Sequence, residues 1–183
     1  LTRAMVYARA RMGNSGIQSL FSDLWHYYYP RVHVFIRRML TDPMDADDAA
    51  QEVMLKVYNR LRQYRPDYAV STWIYSIARN HCLDTIRSAR RRAPVATDGE
   101  PDSVAGPYRS PEEEVLHKER KSHADELVSR LSPEDQQIAL LHFFEEMPYR
   151  QVSAVMGIPT GTLKYRVHRI RKLLREEGGT DGA

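Results

Sequence analysis

Residues 148–175 read PYRQVSAVMGIPTGTLKYRVHRIRKLLR, and this stretch contains two short helical patterns separated by a turn. Gly157 stands where a helix would end in a left-handed residue, and Thr160 or Thr162 can cap the helix that follows. The second pattern places apolar residues at steps of three and four, which predicts one buried stripe along that helix. The stripe consists of Leu163, Val167, Ile170 and Leu174.

The second helix of this pair is strongly basic. Basic amphipathic helices are common, and most are only solvated faces. Here a glycine corner and a threonine cap precede the helix, and no acid occurs in it before Glu176. This combination is typical of a helix-turn-helix, whose second helix lies in the major groove of DNA. The basic residues are Lys164, Arg166, Arg169, Arg171, Lys172 and Arg175.

Length and composition limit the possible classes. A chain of 183 residues holds one ordinary domain or two small ones, and 42% hydrophobic residues support real cores. Apolar runs are too short for a membrane span, and residues 1–16 lack the apolar segment of a signal peptide. The single cysteine, Cys82, excludes an internal disulfide and is expected to be a buried small hydrophobe. We therefore expect a cytoplasmic protein without membrane insertion.

Charge is unevenly distributed along the chain. Residues 1–92 carry 15 Lys/Arg and 8 Asp/Glu, residues 93–114 carry 1 and 6, and residues 115–183 carry 11 and 10. The net charges are therefore +7, −5 and +1. Two regions with basic segments on either side of an acidic connector suggest two separate contacts with nucleic acid.

The first third of the chain is predicted to be helical from Ile17 onward. Residues 1–16 show no sustained periodicity and are expected to form a flexible leader. Pro30 is expected to begin a new helical segment, because proline lacks the backbone N–H that a helix interior uses. The aromatic residues on the apolar face of this helical region are interpreted as part of the core and not as the lining of a ligand pocket.

An acidic helix start follows in DPMDADDAAQEVMLKVYNRL, residues 42–61. Asp42 can cap this helix, Pro43 suits its first turn, and the aspartates favour a helix N-terminus. The acids lack the glycine and terminal glutamate of a calcium loop, so capping is favoured over metal binding. No metal and no cofactor is predicted. The predicted buried face consists of Ala49, Val53, Met54, Val57, Tyr58 and Leu61.

The next segment is predicted to be a loop rich in aromatic and polar residues. Residues 63–71 read QYRPDYAVS, and Ser71 is expected to cap a helix that ends in the basic run of residues 87–92. Aromatic faces beside cations can hold unstacked bases, although Trp73 alone would more often be core. The aromatic residues concerned are Tyr64, Tyr68, Trp73 and Tyr75.

The second half of the chain begins with residues 93–114, a predicted linker with four prolines and no periodicity. Helical patterns resume near Glu112. The sequence Ser-Pro-Glu-Asp at residues 132–135 is a strong helix start, with a serine cap and a proline in the first turn. The helix that follows is expected to support the helix-turn-helix through Ile138, Leu141, His142, Phe144 and Met147.

The order of these parts resembles an extracytoplasmic-function (group IV) sigma factor of bacterial RNA polymerase. The resemblance covers about residues 17–176 and is carried by DADDAAQEVMLKVYNRL, STWIYSIARNHCLDTIRSARRR and LSPEDQQIALLHFFEEMPYRQVSAVMGIPTGTLKYRVHRIRKLLR. It implies an all-α fold of two small helical domains joined by a flexible linker, and no enzymatic activity. The implied domains are region 2 at 17–92 for the −10 element, region 4 at 115–177 for the −35 element, and a tail at 178–183.

The resemblance also implies partners and contact residues. The partners are the core polymerase (β′ clamp helices and β flap), double-stranded promoter DNA, the single-stranded −10 non-template strand and an anti-sigma factor. The residues matching the clamp-docking segment are Asp45, Asp47, Asp48, Gln51 and Glu52. Those matching the −10 segment, which captures a flipped base, are Tyr64, Tyr68, Ser71, Thr72, Trp73, Arg79, Asn80 and Arg87. At the −35 element, Lys164, Tyr165, His168 and Arg169 match base-edge positions, and Arg150, Thr162 and Arg166 match phosphate contacts.

Some positions depart from the family pattern. Pro148 replaces the usual capping serine, Ser153 replaces a small residue that is usually alanine, and the pair Tyr165 and His168 is uncommon.

Two other classes of protein stay open. One is a stand-alone helix-turn-helix regulator in which residues 17–92 sense a ligand or dimerise. The other is a nuclease that uses Asp47, Asp48 and Glu52. Binding to core polymerase separates the first from a sigma factor, and metal-dependent cleavage of nucleic acid would identify the second.

Overall fold

The computed structural model describes residues 2–40, 42–92 and 128–178. Within these ranges the chain forms helices and no strand, and it divides into two compact units with the boundary between residues 107 and 108. The predicted all-α class with a C-terminal helix-turn-helix is confirmed. The predicted linker at 93–114, the helix start near Glu112 and residues 179–183 lie outside the described residues.

The described part of the N-terminal unit contains four α-helices. They are α1 (Arg3–Arg9), α2 (Gly13–Arg37), α3 (Pro43–Arg60) and α4 (Val70–Arg92), and a 3₁₀ turn, Leu61–Gln63, follows α3. Helices α2, α3 and α4 pack on one another. In the described chain, none of the helices combines the length and hydropathy needed to cross a bilayer. The largest buried side chains of this unit are Leu20, Leu24, Phe35, Ile36, Met54, Leu61, Tyr64, Ile74 and Tyr75.

The expectation of a flexible leader is wrong for residues 3–16, which are largely helical. Thr2 caps α1 by accepting a hydrogen bond from the amide of Met5 at 3.3 Å. Val6 and Ala10 are fully buried, and Arg9 forms an ion pair with Asp23 of α2 at 2.8 Å. A helix of only two turns shows too few periods to be recognised in the sequence, and its burial against α2 stabilises it.

Pro30 lies inside α2 and does not begin a new helix, so this prediction is also wrong. Proline removes one backbone hydrogen bond from a helix interior. The two halves of α2 nevertheless share one buried face, with Leu24 before the proline and Val32 and Phe35 after it. We attribute the continuity of α2 to packing of both halves on the same core.

The starts of α3 and α4 differ in how well the sequence predicted them. Asp42 accepts a hydrogen bond from the amide of Met44 at 2.8 Å, and Pro43 occupies the first turn, as predicted. Helix α4 already begins at Val70, so Ser71 lies inside its first turn and does not cap it. The predicted buried face of α3 is confirmed except for Tyr58, which is 37% exposed.

The C-terminal unit contains α5 (Pro133–Ala139), which continues through a π turn at Leu140–Phe144, then α6 (Tyr149–Met156) and α7 (Thr160–Gly178). The side chain of Ser132 accepts a hydrogen bond from the amide of Asp135 at 3.2 Å, which confirms the predicted helix start. Phe144, one of the residues expected to support the helix-turn-helix, lies at the end of the π turn and is 62% exposed.

The helix-turn-helix agrees with the sequence at its corner and along its stripe. Gly157 ends α6 in the left-handed conformation, with φ at 65°. Leu163, Val167 and Ile170 are fully buried, whereas Leu174 near the end of α7 is only half-buried. The predicted threonine cap is wrong, because Thr160 is already helical and the residue before it is Pro159.

Candidate functional site

The N-terminal unit exposes an acidic face on α3, named here the α3 face. All five residues predicted to dock on a protein are exposed: Asp45, Asp47, Asp48, Gln51 and Glu52. Helical spacing places Asp48, Glu52 and Leu55 on one side of α3, and Leu55 is 56% exposed. The α3 face therefore combines exposed carboxylates with an exposed apolar side chain, the composition of a surface that binds a basic and apolar partner.

Two histidines border the α3 face. His33 Nε2 lies 2.5 Å from Asp47 Oδ1, and His81 Nε2 lies 3.5 Å from Glu52 Oε2. Lys56 Nζ donates to His81 Nδ1 at 2.5 Å. Burial lowers the pKa of His81, the positive charge of Lys56 lowers it further, and Glu52 opposes both effects. In the part of the chain that the structure describes, no three acids, histidines or cysteines could hold a metal ion together.

Two of the predicted −10 residues are buried in the structure. Tyr64 is 1% exposed, and its hydroxyl donates to the carbonyl of Tyr68 at 2.8 Å. Its ring lies 5.3 Å from that of Trp73, and burial raises the pKa of its phenol. Thr72 is 3% exposed. Both side chains pack where the loop meets α4, so neither is available to stack on a base.

The other predicted −10 residues reach the surface of the same unit. Tyr68 is 61% exposed at the tip of the loop. Arg79 is partly buried, and its Nε has no hydrogen-bond partner within the described residues. Asn80 and Arg87 are exposed on α4, whereas Ser71 and Trp73 are partly exposed. The loop tip and one side of α4 thus present an aromatic ring, an amide and guanidinium groups.

The turn of the helix-turn-helix is held by Ser153. Its hydroxyl donates to the carbonyl of Ile158 at 2.5 Å and accepts from the hydroxyl of Thr160 at 3.3 Å. This departure from the usual alanine therefore links α6 to both the turn and α7. Pro148, the other departure, precedes α6 and provides no side-chain cap.

The outer side of α7, named here the α7 face, carries the predicted base-edge residues. Lys164, Tyr165 and His168 are exposed, and Tyr165 is 67% exposed. Thr162 and Arg150, two of the predicted phosphate contacts, are exposed as well. A lysine, a tyrosine and a histidine on one side of a helix supply hydrogen-bond donors and acceptors for base edges in the major groove.

Arg166, a predicted phosphate contact, binds two acids of the same unit and does not belong to the α7 face. Its Nε donates to Asp135 Oδ1 at 2.7 Å, and its Nη1 donates to Glu134 Oε2 at 2.6 Å. Burial alone would lower the pKa of Arg166, but the bonds to both acids outweigh burial and raise it. Arg169 Nη2 donates to Asp135 Oδ2. No sequence pattern indicated these pairs, because Glu134 and Asp135 have the pattern of an ordinary helix start.

Family models and curated relatives match the chain. The model described as Sigma-70 region 2 matches residues 24–92, and Sigma-70, region 4 matches residues 124–174. The RNA polymerase sigma-H factor of Pseudomonas aeruginosa is 33% identical over 87% of this chain and 86% of its own length. The ECF RNA polymerase sigma-E factor of Haemophilus influenzae is 30% identical over 97% of this chain and 95% of its own.

Solved structures have a similar fold. CnrH in complex with the cytosolic domain of CnrY matches with a TM-score of 0.63 at 18% identity, over 98% of both chains. The sigma factor RpoE of Bartonella quintana, in complex with the anti-sigma factor NepR, matches with a TM-score of 0.61 at 18% identity, over 88% of this chain and 98% of that chain.

Proposed function

The chain belongs to the extracytoplasmic-function sigma factors of the sigma-70 family, and on this premise we propose which of its surfaces bind polymerase and which bind promoter DNA. Sigma factors of this family are transcription initiation factors, so the chain directs promoter-specific initiation by RNA polymerase. Region 2, at residues 17–92, is assigned to the −10 element, and region 4, at residues 115–177, to the −35 element. The chain contributes recognition, and the polymerase core forms the phosphodiester bonds.

The α3 face is the proposed contact with core polymerase, at the β′ clamp helices. The observation that supports it is the exposure of its carboxylates beside Leu55. Exposed acids steer a basic partner during encounter and set the orientation of the complex. The exposed Leu55 adds apolar area that becomes buried on binding.

The α7 face is the proposed reader of the −35 element. Lys164, Tyr165, His168 and the exposed half of Arg169 would contact base edges, while Arg150 and Thr162 would contact phosphates. The observation that carries this proposal is the exposure of these side chains on a helix whose opposite side buries Leu163, Val167 and Ile170 completely. Such a helix can enter the major groove without disturbing its own core. We also propose that region 4 contacts the β flap.

The −10 surface is proposed to consist of the residues that the structure leaves accessible. An exposed aromatic ring beside guanidinium and amide groups can stack on an unpaired base and follow the single-stranded backbone. Capture of a flipped base stabilises the melted state of the promoter. The proposed residues are Ser71, Tyr68, Trp73, Arg79, Asn80 and Arg87.

A protein inhibitor is also proposed as a partner. The two similar solved structures contain the cytosolic domain of CnrY and the anti-sigma factor NepR, respectively. A protein that covers the α3 face would compete with core polymerase for the same carboxylates. Competition of this kind is measured by adding core polymerase to a preformed complex.

Run-off transcription tests the proposed function. Core polymerase with the full chain, on a library with randomised −10 and −35 segments, is expected to yield transcripts enriched for one motif pair. Core polymerase alone serves as the control and is expected to show no such enrichment. If the chain bound duplex DNA but neither bound core polymerase nor changed its start sites, it would be a stand-alone regulator.

A further inference from the structure

The carboxylate of Asp135 joins the start of α5 to the middle of α7. Its side chain is 3% exposed, and each of its two oxygens accepts a hydrogen bond from a different arginine of α7. Arg166 binds Oδ1 and Arg169 binds Oδ2, at sequence separations of 31 and 34 residues. Charge-assisted bonds of this kind are strong and directional, so one buried carboxylate fixes the orientation of both guanidinium groups.

The two arginines differ in how much of each side chain remains exposed. The side chain of Arg166 is 18% exposed and also binds Glu134, so its charge is used within the fold. The side chain of Arg169 is 50% exposed. Helical spacing places Arg169 one turn after Tyr165 and directly after His168, at the border of the α7 face. Arg169 therefore has one edge bound to Asp135 and another edge open toward that face.

We infer that Asp135 is a positioning residue for −35 recognition, which orients Arg169 so that its free edge meets a base. The inference rests on the proposed function of the α7 face. Arginine reads guanine through N–H donors in a fixed geometry. A side chain that is oriented before binding loses less conformational entropy when it binds.

Asp135 has a second effect on the same arginine. Its negative charge reduces the attraction of α7 for the phosphates of any DNA sequence, since non-specific binding follows the number of free cations. Asp135 should therefore raise −35 preference while lowering non-specific affinity. A purely structural role would leave −35 preference unchanged and lower non-specific affinity, because a smaller folded fraction reduces the affinity for every DNA sequence by the same factor.

The variant Asp135→Asn tests this inference in the full chain assembled with core polymerase. The first measurement is −35 preference on a promoter library with a fixed −10 element and a randomised −35 segment. We expect preference at one −35 position to fall about five-fold or more. The second measurement is the affinity of the free chain for a promoterless duplex across salt concentrations. We expect tighter binding with a steeper salt dependence.

Glu134→Gln is the matched control. It removes the same charge from the same helix start, but Glu134 binds Arg166 and not Arg169. We expect a similar rise in non-specific binding with unchanged −35 preference. Asp135→Glu is the second variant: it keeps the charge but lengthens the side chain, so −35 preference should change while non-specific affinity stays constant. In an Arg169→Ala background, Asp135→Asn should cause no further loss of preference.

The outcomes separate this inference from the proposed function. If wild type discriminates −35 sequences and Asp135→Asn and Asp135→Glu discriminate them equally well, the inference is overturned. Where Asp135→Asn does not fold, Asp135→Glu alone decides. If wild-type holoenzyme shows no −35 preference at all, the proposed function fails, independently of Asp135.

Discussion

Helices α3 and α7 both carry clustered charge, but the two clusters have different neighbours in the folded chain. The carboxylates of the α3 face stay exposed, and their contacts with His33 and His81 leave more than half of Asp47 and Glu52 accessible. On α7, by contrast, Arg166 and Arg169 bind Asp135. Charges that bind each other within a chain stabilise its fold, and charges left exposed are available to partners. A count of charges in the sequence does not separate the two kinds.

The largest expected effect concerns the exposed cluster. Replacing Asp47 and Asp48 with lysine should weaken binding to core polymerase about 100-fold or more, because like charges across an interface cost several kcal/mol. The fold should persist, since each acid contributes only about 0.3–1 kcal/mol at a helix N-terminus. Polymerase binding and circular dichroism measure the two quantities.

The matched control for this pair reverses two other exposed acids of the same unit, Asp67 and Asp84. These residues lie outside α3, and their replacement with lysine should leave the affinity for polymerase unchanged. Equal loss of affinity in both double variants would show that net charge, and not the α3 face, determines binding.

For Arg166, one of the α7 arginines that bind Asp135, the expected effects are reversed: substitution should change stability and leave binding to the partner unchanged. Arg166→Met leaves the buried carboxylate of Asp135 with one partner, so the free energy of unfolding of the C-terminal unit should fall by about 2–3 kcal/mol. The salt dependence of DNA binding should not change, because the charge of Arg166 is used within the fold. Hydrogen exchange of α5 and α7 amides measures the stability loss.

Arg175→Met is the control for Arg166, because Arg175 is exposed near the end of the same helix. Its stability effect should stay within about 0.5 kcal/mol. If Arg166→Met instead flattened the salt dependence without loss of stability, Arg166 would be a phosphate contact after all.

A smaller and more local effect is expected on the α7 face. Lys164→Ala should cost about 1–3 kcal/mol at one −35 base position and leave stability unchanged. The measurement compares binding to promoters that differ at single −35 positions. Uniform weakening over all positions would identify Lys164 as a phosphate contact and not as a base reader.

The smallest effect concerns the histidine beside the α3 face. Burial and Lys56 lower the pKa of His81 below its ordinary value of 6.5. The unfolded chain therefore binds more protons than the folded chain when the pH falls through 6.5, and the N-terminal unit loses stability in that range. Denaturant unfolding from pH 8 to pH 5 should show this loss in wild type and less of it in His81→Gln. Identical pH profiles in wild type and His81→Gln would show that His81 does not cause the loss of stability.

Sequence patterns predicted the features that depend on local chemistry. The Asp42 cap, the Ser132 helix start, the left-handed Gly157 and the buried stripe of α7 each follow from residues within a few positions of one another. Burial of Cys82 was predicted as well, and burial raises the pKa of its thiol to about 12.

The features that the sequence did not predict depend on contacts between distant segments. The burial of Tyr64 and Thr72, the continuity of α2 through Pro30 and the ion pairs of Asp135 all arise from packing between helices. Helix α1 is a related case, because burial of Val6 and Ala10 stabilises a helix that is too short to show a period. Local patterns contain no information about such contacts.

Site-specific photocrosslinking tests the two faces most directly. A photoreactive amino acid is placed at Leu55 on the α3 face or at Tyr165 on the α7 face, both exposed, and each full-length chain is assembled with core polymerase on a promoter. The proposed function predicts that the Leu55 probe crosslinks to the β′ subunit and that the Tyr165 probe crosslinks to −35 DNA. A Leu55 probe that crosslinked to DNA, or a Tyr165 probe that crosslinked only to protein, would contradict it.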